Sequence, residues 1–281
     1  MPIDISQFKN GGLIKPLHWK DYRLERAPGA GPLPAQYSIR QMVGKIKNQD
    51  GSLSCVSQAT SYYAEVLNFI ETKEKISLSP RFLYYKVFQS GGGSYVKDNM
   101  QRIVNMGIAP ESEVPSYDHS QPPSENFMEQ GNDVTSQIES DAKTYITKSY
   151  LTWDNTSVGL YKQAIMQGSG CVVISWGNNY CWQSAHIQMP SYSQQMSWRH
   201  GIYLTGWNDA TNEFEFVNSW GDNWGESGFG YLPYKYVTSG YICNPWTMID
   251  LPNGTYVSLL STLKNLIEKV AKLLQLLKLK K

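Results

Sequence analysis

The feature that most constrains this chain is a change of character at residues 116–136. This stretch is polar and proline-bearing, and apolar residues recur at different periods on its two sides. Before it, from Cys55 to about Glu71, Ala59, Tyr62, Tyr63, Val66, Leu67 and Ile70 share one face at helical spacing. A second helix is expected after Ser79-Pro80, because proline suits a first helical position. A third spans about 96–105, with Gly107 as its stop. Beyond 136 the pattern shortens, and 145–152, 170–176, 200–207, 214–218 and 228–232 read as strands, with a turn at 208–212. Helices first and strands second predict an α+β protein with two lobes and a cleft between them.

Composition bounds the partners. The 41% hydrophobic and 13% aromatic fractions suit a folded globular chain rather than a disordered one. Lys+Arg 25 against Asp+Glu 24 gives no reason to expect nucleic acid or an anionic membrane as partner. Cys55, Cys171, Cys181 and Cys243 form no CxxC pair, so neither a disulfide framework nor a structural zinc site is expected. Reduced thiols are the plainest reading, with one bridge among the last three left open. No signal-like run opens the chain and no stretch of about 20 apolar residues occurs, so a soluble product, intracellular at synthesis, is expected.

Both ends stand apart. Residues 1–32 close on Ala27-Pro28-Gly29-Ala30-Gly31-Pro32, which breaks helix and strand, and read as an N-terminal arm or a short pro-segment, the arm being the simpler choice. In 251–281, Leu260, Leu263, Ile267, Val270, Leu274 and Leu277 alternate by three and four among lysines, as in a basic amphipathic helix. Docking on its own domain, self-association through 256–281 and a membrane surface compete for it.

Cys55 opens the first helix, where unpaired N–H groups and the helix dipole favour a thiolate. A thiol hydrolase also needs an imidazole as acid and base, a group to orient it, and donors for an oxyanion. His200 enters one predicted strand and Asn218 ends the next, so an antiparallel pairing joins them. Gln49, on the loop before Cys55, offers a side-chain amide to the oxyanion, and the Cys55 N–H offers a second donor. No metal or organic cofactor is implied.

At these residues the chain resembles the papain-like cysteine peptidases, and the likeness covers most of 33–235. Lys47-Asn48-Gln49 through Ser54-Cys55 resembles the family's loop into the nucleophile. Leu78-Ser79-Pro80 through Tyr85 has a form frequent among bacterial members, which suggests a bacterial- or phage-like protein. Gly92-Gly93 is similar to the glycine pair beside the substrate backbone, and Arg199-His200-Gly201-Ile202 to the histidine strand. Asn218-Ser219-Trp220-Gly221 with Trp224-Gly225 is the most specific piece.

The resemblance implies a helical left lobe, about 50–140, against a β-barrel-like right lobe, about 141–250, within a peptidase domain of 33–250. It implies Cys55 as nucleophile, His200 as acid and base, Asn218 orienting it, Gln49 in the oxyanion hole, Gly92 and Gly93 along the substrate, and Trp220 shielding the His–Asn bond. The expected reaction is peptide-bond hydrolysis, by endo- or exopeptidase action, through a thioacyl-enzyme.

Val56 stands where the family usually has tryptophan. Leu53 replaces a glycine, which predicts a tighter entrance, and Ser52 takes the place of a cysteine. Three rival readings follow: a catalytically silent binding module with the same cleft, another thiol acyl hydrolase or transferase, and an assembly component anchored by the tail. His18, His119 and His186 are read as structural or surface residues.

Overall fold

The computed structural model describes residues 4–18, 20–24, 32–117, 123–191 and 193–249. The tail helix expected over 251–281, His119 and most of the Ala27–Pro32 stretch lie outside these residues. In chain order the elements are β1 (Gly12–Leu13), β2 (Gln36–Ser38), α1 (Cys55–Thr72), α2 (Pro80–Val87), β3 (Ser94–Tyr95) and α3 (Val96–Met106). There follow α4 (Glu125–Met128), α5 (Ser136–Asp141), β4 (Ser149–Thr152), α6 (Val158–Gly168), β5 (Cys171–Gly177), β6 (Trp198–Asn208), β7 (Glu213–Val217), β8 (Phe229–Pro233), α7 (Lys235–Thr238) and β9 (Ile242–Ile249).

The left-lobe helices begin and end where local chemistry dictates. Ser79 accepts the Phe82 N–H at 3.0 Å and Pro80 opens α2. Gly107, at φ 78°, stops α3. One detail differs from expectation, because neither Ser52 nor Ser54 caps α1 through its side chain. Their hydroxyls bond each other at 2.7 Å, and Ser54 Oγ accepts from Gln58 Nε2. They stiffen the loop before Cys55 rather than the helix end.

The right lobe is an antiparallel sheet in the order β4-β9-β5-β6-β7-β8, with β2 beside β6. Sequence patterning missed β9 and the helices α5 and α6. Pro245 argues against a strand, and the sheet tolerates it through a register shift between Val172 and Ile174 beside Asn244, at φ 49°. The strand expected to start at 145 starts at 149, because residues 142–145 wind into a helical turn.

Two cores result. One joins α1, α2 and α3 to Val172, Ile174, Tyr203 and Trp246 of the sheet. The other fills the right lobe with Trp153, Trp182, Phe214, Phe216, Trp220 and Trp224. Helix α1 lies against β6, so the helix that begins at Cys55 meets the strand that carries His200.

Candidate active site

The polar loop 47–54 delivers Gln49 and Cys55 to the seam between the cores. Gln49 N–H donates to Ser219 O at 2.8 Å, Ser219 Oγ donates to Gln49 Oε1 at 2.7 Å, and Asn48 bridges Trp220. Thus the segment before Cys55 is stitched to the segment after Asn218. Tyr62, read from sequence as packing, strengthens this seam: its hydroxyl accepts the Lys47 N–H and donates to Asn218 O. Beneath it, a fully buried Lys47–Glu65 pair at 2.7 Å also holds both polar groups of Leu78.

His200 and Asn218 meet as the paired strands predict, with a 2.8 Å hydrogen bond between Nε2 and Oδ1. Trp220 lies over the imidazole, ring centroids 4.8 Å apart, and Trp182 and Trp198 pack edge-on around it. Exclusion of water strengthens such a bond. The next residue along, Gly201, donates its N–H to Cys55 Sγ at 3.3 Å. Cys55, His200, Asn218, Gln49 and Trp220 therefore converge. His186 does not join them; it is exposed and pairs with Glu213. All four cysteines are free.

What the sequence did not reveal is that the N-terminal arm runs through this site. Phe8 stacks on Trp220 at 5.1 Å with the rings nearly parallel. The Lys9 carbonyl accepts Gln49 Nε2–H at 2.6 Å. Gly11 O accepts the Ser94 N–H at 3.0 Å, and β1 continues parallel to β3 just past Gly93. The passage is narrow here: a Cβ on Gly11 would come within 1.9 Å of the Leu53 backbone O, and one on Gly12 within 3.2 Å of the Arg199–His200 backbone. Only bare backbone threads this gap. An open groove of about 680 Å³ continues beyond Phe8, lined by Gln7, Lys45, Ile46, Asn48 and Trp220.

Burial sets the electrostatics. Cys55 and His200 are completely buried. Burial pushes the thiol up to about 11, against the opposing pull of the Gly201, Gly11 and Val56 N–H groups, and the Glu125 carboxylate adds to the rise. Burial likewise pushes His200 down to about 4, against the Asn218 hydrogen bond. Burial in this closed state thus opposes the thiolate–imidazolium form, outweighing the helix terminus, and His200 Nδ1 has no hydrogen-bond partner.

The left wall holds two residues that sequence reading passed over. Glu125 accepts the Leu53 N–H at 2.5 Å and the Tyr84 hydroxyl, and Tyr84 in turn accepts the Gly93 N–H at 2.7 Å. No spacing rule points to Glu125, which lies in the polar stretch between the lobes. Gly93 lies beside the arm backbone, whereas Gly92 faces Leu53 and Glu125.

Residues 33–243 match the family model described as papain family cysteine protease. Mexicain from Jacaratia mexicana is 27% identical over 216 residues, covering 76% of this chain and 94% of that protein. Among solved structures, xylellain, a cysteine protease from Xylella fastidiosa, superposes with a TM-score of 0.72 at 20% identity, over 86% of this chain and 96% of its own. The Carica candamarcensis cysteine protease CMS1MS2, solved in complex with E-64, gives 0.62 at 19% identity, over 78% and 100%. At these identities the structures bear on the fold, and they agree with the two-lobed α+β architecture.

Proposed function

This chain belongs to the papain family of cysteine proteases and is a cysteine peptidase, and from that premise we propose that Cys55 is its nucleophile and residues 4–18 its own cleft-filling pro-segment. The observation that carries the reading is the single junction where α1 begins, the Nε2–Oδ1 bond of His200 and Asn218 ends, and Gly201 touches Sγ.

Once the arm leaves, water reaches the pair, and the thiol proton passes to His200 Nδ1, the nitrogen now without a partner. The thiolate attacks the peptide carbonyl carbon, and the oxyanion takes hydrogen bonds from the Cys55 N–H and from Gln49 Nε2, which the Lys9 carbonyl now occupies. His200 then protonates the departing amine, leaving a thioester that water hydrolyses. Asn218 fixes the imidazole throughout, Trp220 shields their bond, and Gly93 lies along the peptide backbone as it now lies along Gly11. An asparagine, rather than a carboxylate, beside His200 favours peptidase over transferase chemistry.

The arm brings the Gly11 N–H close to the sulfur, where it pulls the thiol down against burial. Its occupancy supports the pro-segment reading over the simpler strapping arm. Cys55→Ala in the full chain is expected to abolish peptide turnover with folding intact, and a variant as fast as the parent overturns the nucleophile. For 251–281 self-association or surface docking remains the proposal, and the mass in solution after removal of 256–281 separates the two.

A further inference from the structure

Four free cysteines leave the cleft without a covalent strap, yet its left wall is a pair of loops that must keep a fixed distance. One loop, 47–54, carries the nucleophile; the other, 91–93, carries the backbone that runs beside the bound arm. We propose that Glu125 is a positioning residue that ties these loops together through Tyr84, and so sets the register of a peptide against Cys55. The proposal rests on the assignment of Cys55 and Gly93 above.

The geometry is a continuous chain of donors and acceptors. The Leu53 N–H, two residues before Cys55, donates to one carboxylate oxygen of Glu125 at 2.5 Å. The Tyr84 hydroxyl donates to the other, while accepting the Gly93 N–H at 2.7 Å. An ionised carboxylate makes such bonds shorter and stronger than neutral acceptors do. Tyr84 is buried in α2, so its hydroxyl is fixed from the core side.

The segment that brings Glu125 here is itself anchored. Arg81, buried beside Tyr84 in α2, donates to Pro115 O and Gln130 O and pairs with Asp133 through both terminal nitrogens. Its guanidinium also covers the Phe127 ring at 4.8 Å. Ser124 caps the turn that follows. Gly92 completes the fit, since a Cβ there would lie 2.8 Å from the Glu125 carboxylate and 2.2 Å from Leu53 Cδ1. Gly92 thus leaves room for the tie, whereas Gly93 meets the peptide.

The test compares the full-length protein with Glu125→Ala, Glu125→Gln and Tyr84→Phe, reading kcat and KM on a peptide, the rate of Cys55 alkylation by iodoacetamide, and amide exchange at Leu53 and Gly93. Glu125→Ala is expected to lower kcat/KM about tenfold without slowing alkylation, because a misplaced peptide costs more than a small reagent that needs no register. Both amides should exchange faster. Glu125→Gln keeps an acceptor for Leu53 and should stay within about threefold of the parent, while Tyr84→Phe should release Gly93 and leave Leu53 protected. Unchanged exchange at both amides in Glu125→Ala, or alkylation that falls in step with turnover in all three variants, overturns the proposal. Peptide turnover that survives complete alkylation of Cys55 sinks the nucleophile assignment instead, and the exchange pattern still decides whether the tie exists.

Discussion

The two walls of the cleft are built from different forces. Behind His200 the wall is aromatic: Trp198 meets Trp182, and Trp224 meets Trp220, edge to face, Trp182 stacks on Trp224, and Asn218 Nδ2, Trp182 Nε1, Trp220 Nε1 and His200 Nδ1 lack hydrogen-bond partners. Around Cys55 the wall is polar, from Ser52–Ser54 through Gln49 to Glu125, over the buried Lys47–Glu65 pair. The difference teaches what each side has to fix. One ring and one hydrogen bond need shape and dryness, which packing supplies. Several backbone N–H groups need direction, which only hydrogen bonds supply.

Shape and charge substitutions should therefore act oppositely on the two walls. Trp220→Ala is expected to cost about 4 kcal/mol of stability and most of the activity, while Trp220→Phe keeps the larger part of both; chemical denaturation with peptide turnover reads this. On the polar wall the isosteric change is the severe one. Glu65→Gln strands the Lys47 ammonium and should cost about 3 kcal/mol, although the volume is unchanged. If Glu65→Gln proved milder than Trp220→Phe, the contrast would be broken.

Acidity sharpens the comparison, because His200 and Cys55 sit on opposite walls of one sealed space. An imidazole held at about 4 takes up fewer protons in the closed form than in the unfolded chain, where it titrates near 6.5. Stability is thus complete above about 6.5 and falls as the pH drops towards 4, by about 3 kcal/mol in all. The thiol, raised to about 11, acts at the other end: stability falls as the pH rises past about 9. The melting temperature of the full chain should show a plateau between these limits.

Smaller effects test the arm. Phe8→Ala removes the ring on Trp220 and should weaken closure by about 1 kcal/mol, raising the iodoacetamide reactivity of Cys55 several-fold and flattening the acid limb. His186→Ala, at an exposed hydrogen bond to Glu213, should change stability by less than about 0.5 kcal/mol and leave turnover alone.

Much of this was legible in the residues. The period of α1, the proline that opens α2 and the glycine that ends α3 are local signals, and each element formed where they indicate. His200 and Asn218 were readable because one antiparallel pairing brings them together. Strand β9 was hidden because Pro245 obeys a local rule that the sheet circumvents with a register shift. Glu125 and Tyr84 were hidden for another reason: their partners lie 72 and 9 positions away, at no periodic spacing.

The sequence by itself determined the class of fold, the meeting of Cys55 with the His200–Asn218 pair, and the place where helical packing gives way to strands. Those follow from short-range patterning and a motif whose members share one hairpin and one helix end. Only the tertiary structure decided that the arm fills the cleft, that Cys55 and His200 are buried beneath it, and that a distant carboxylate bonds both left-wall loops. Burial and long-range hydrogen bonds arise when remote segments meet, and no local period encodes that meeting.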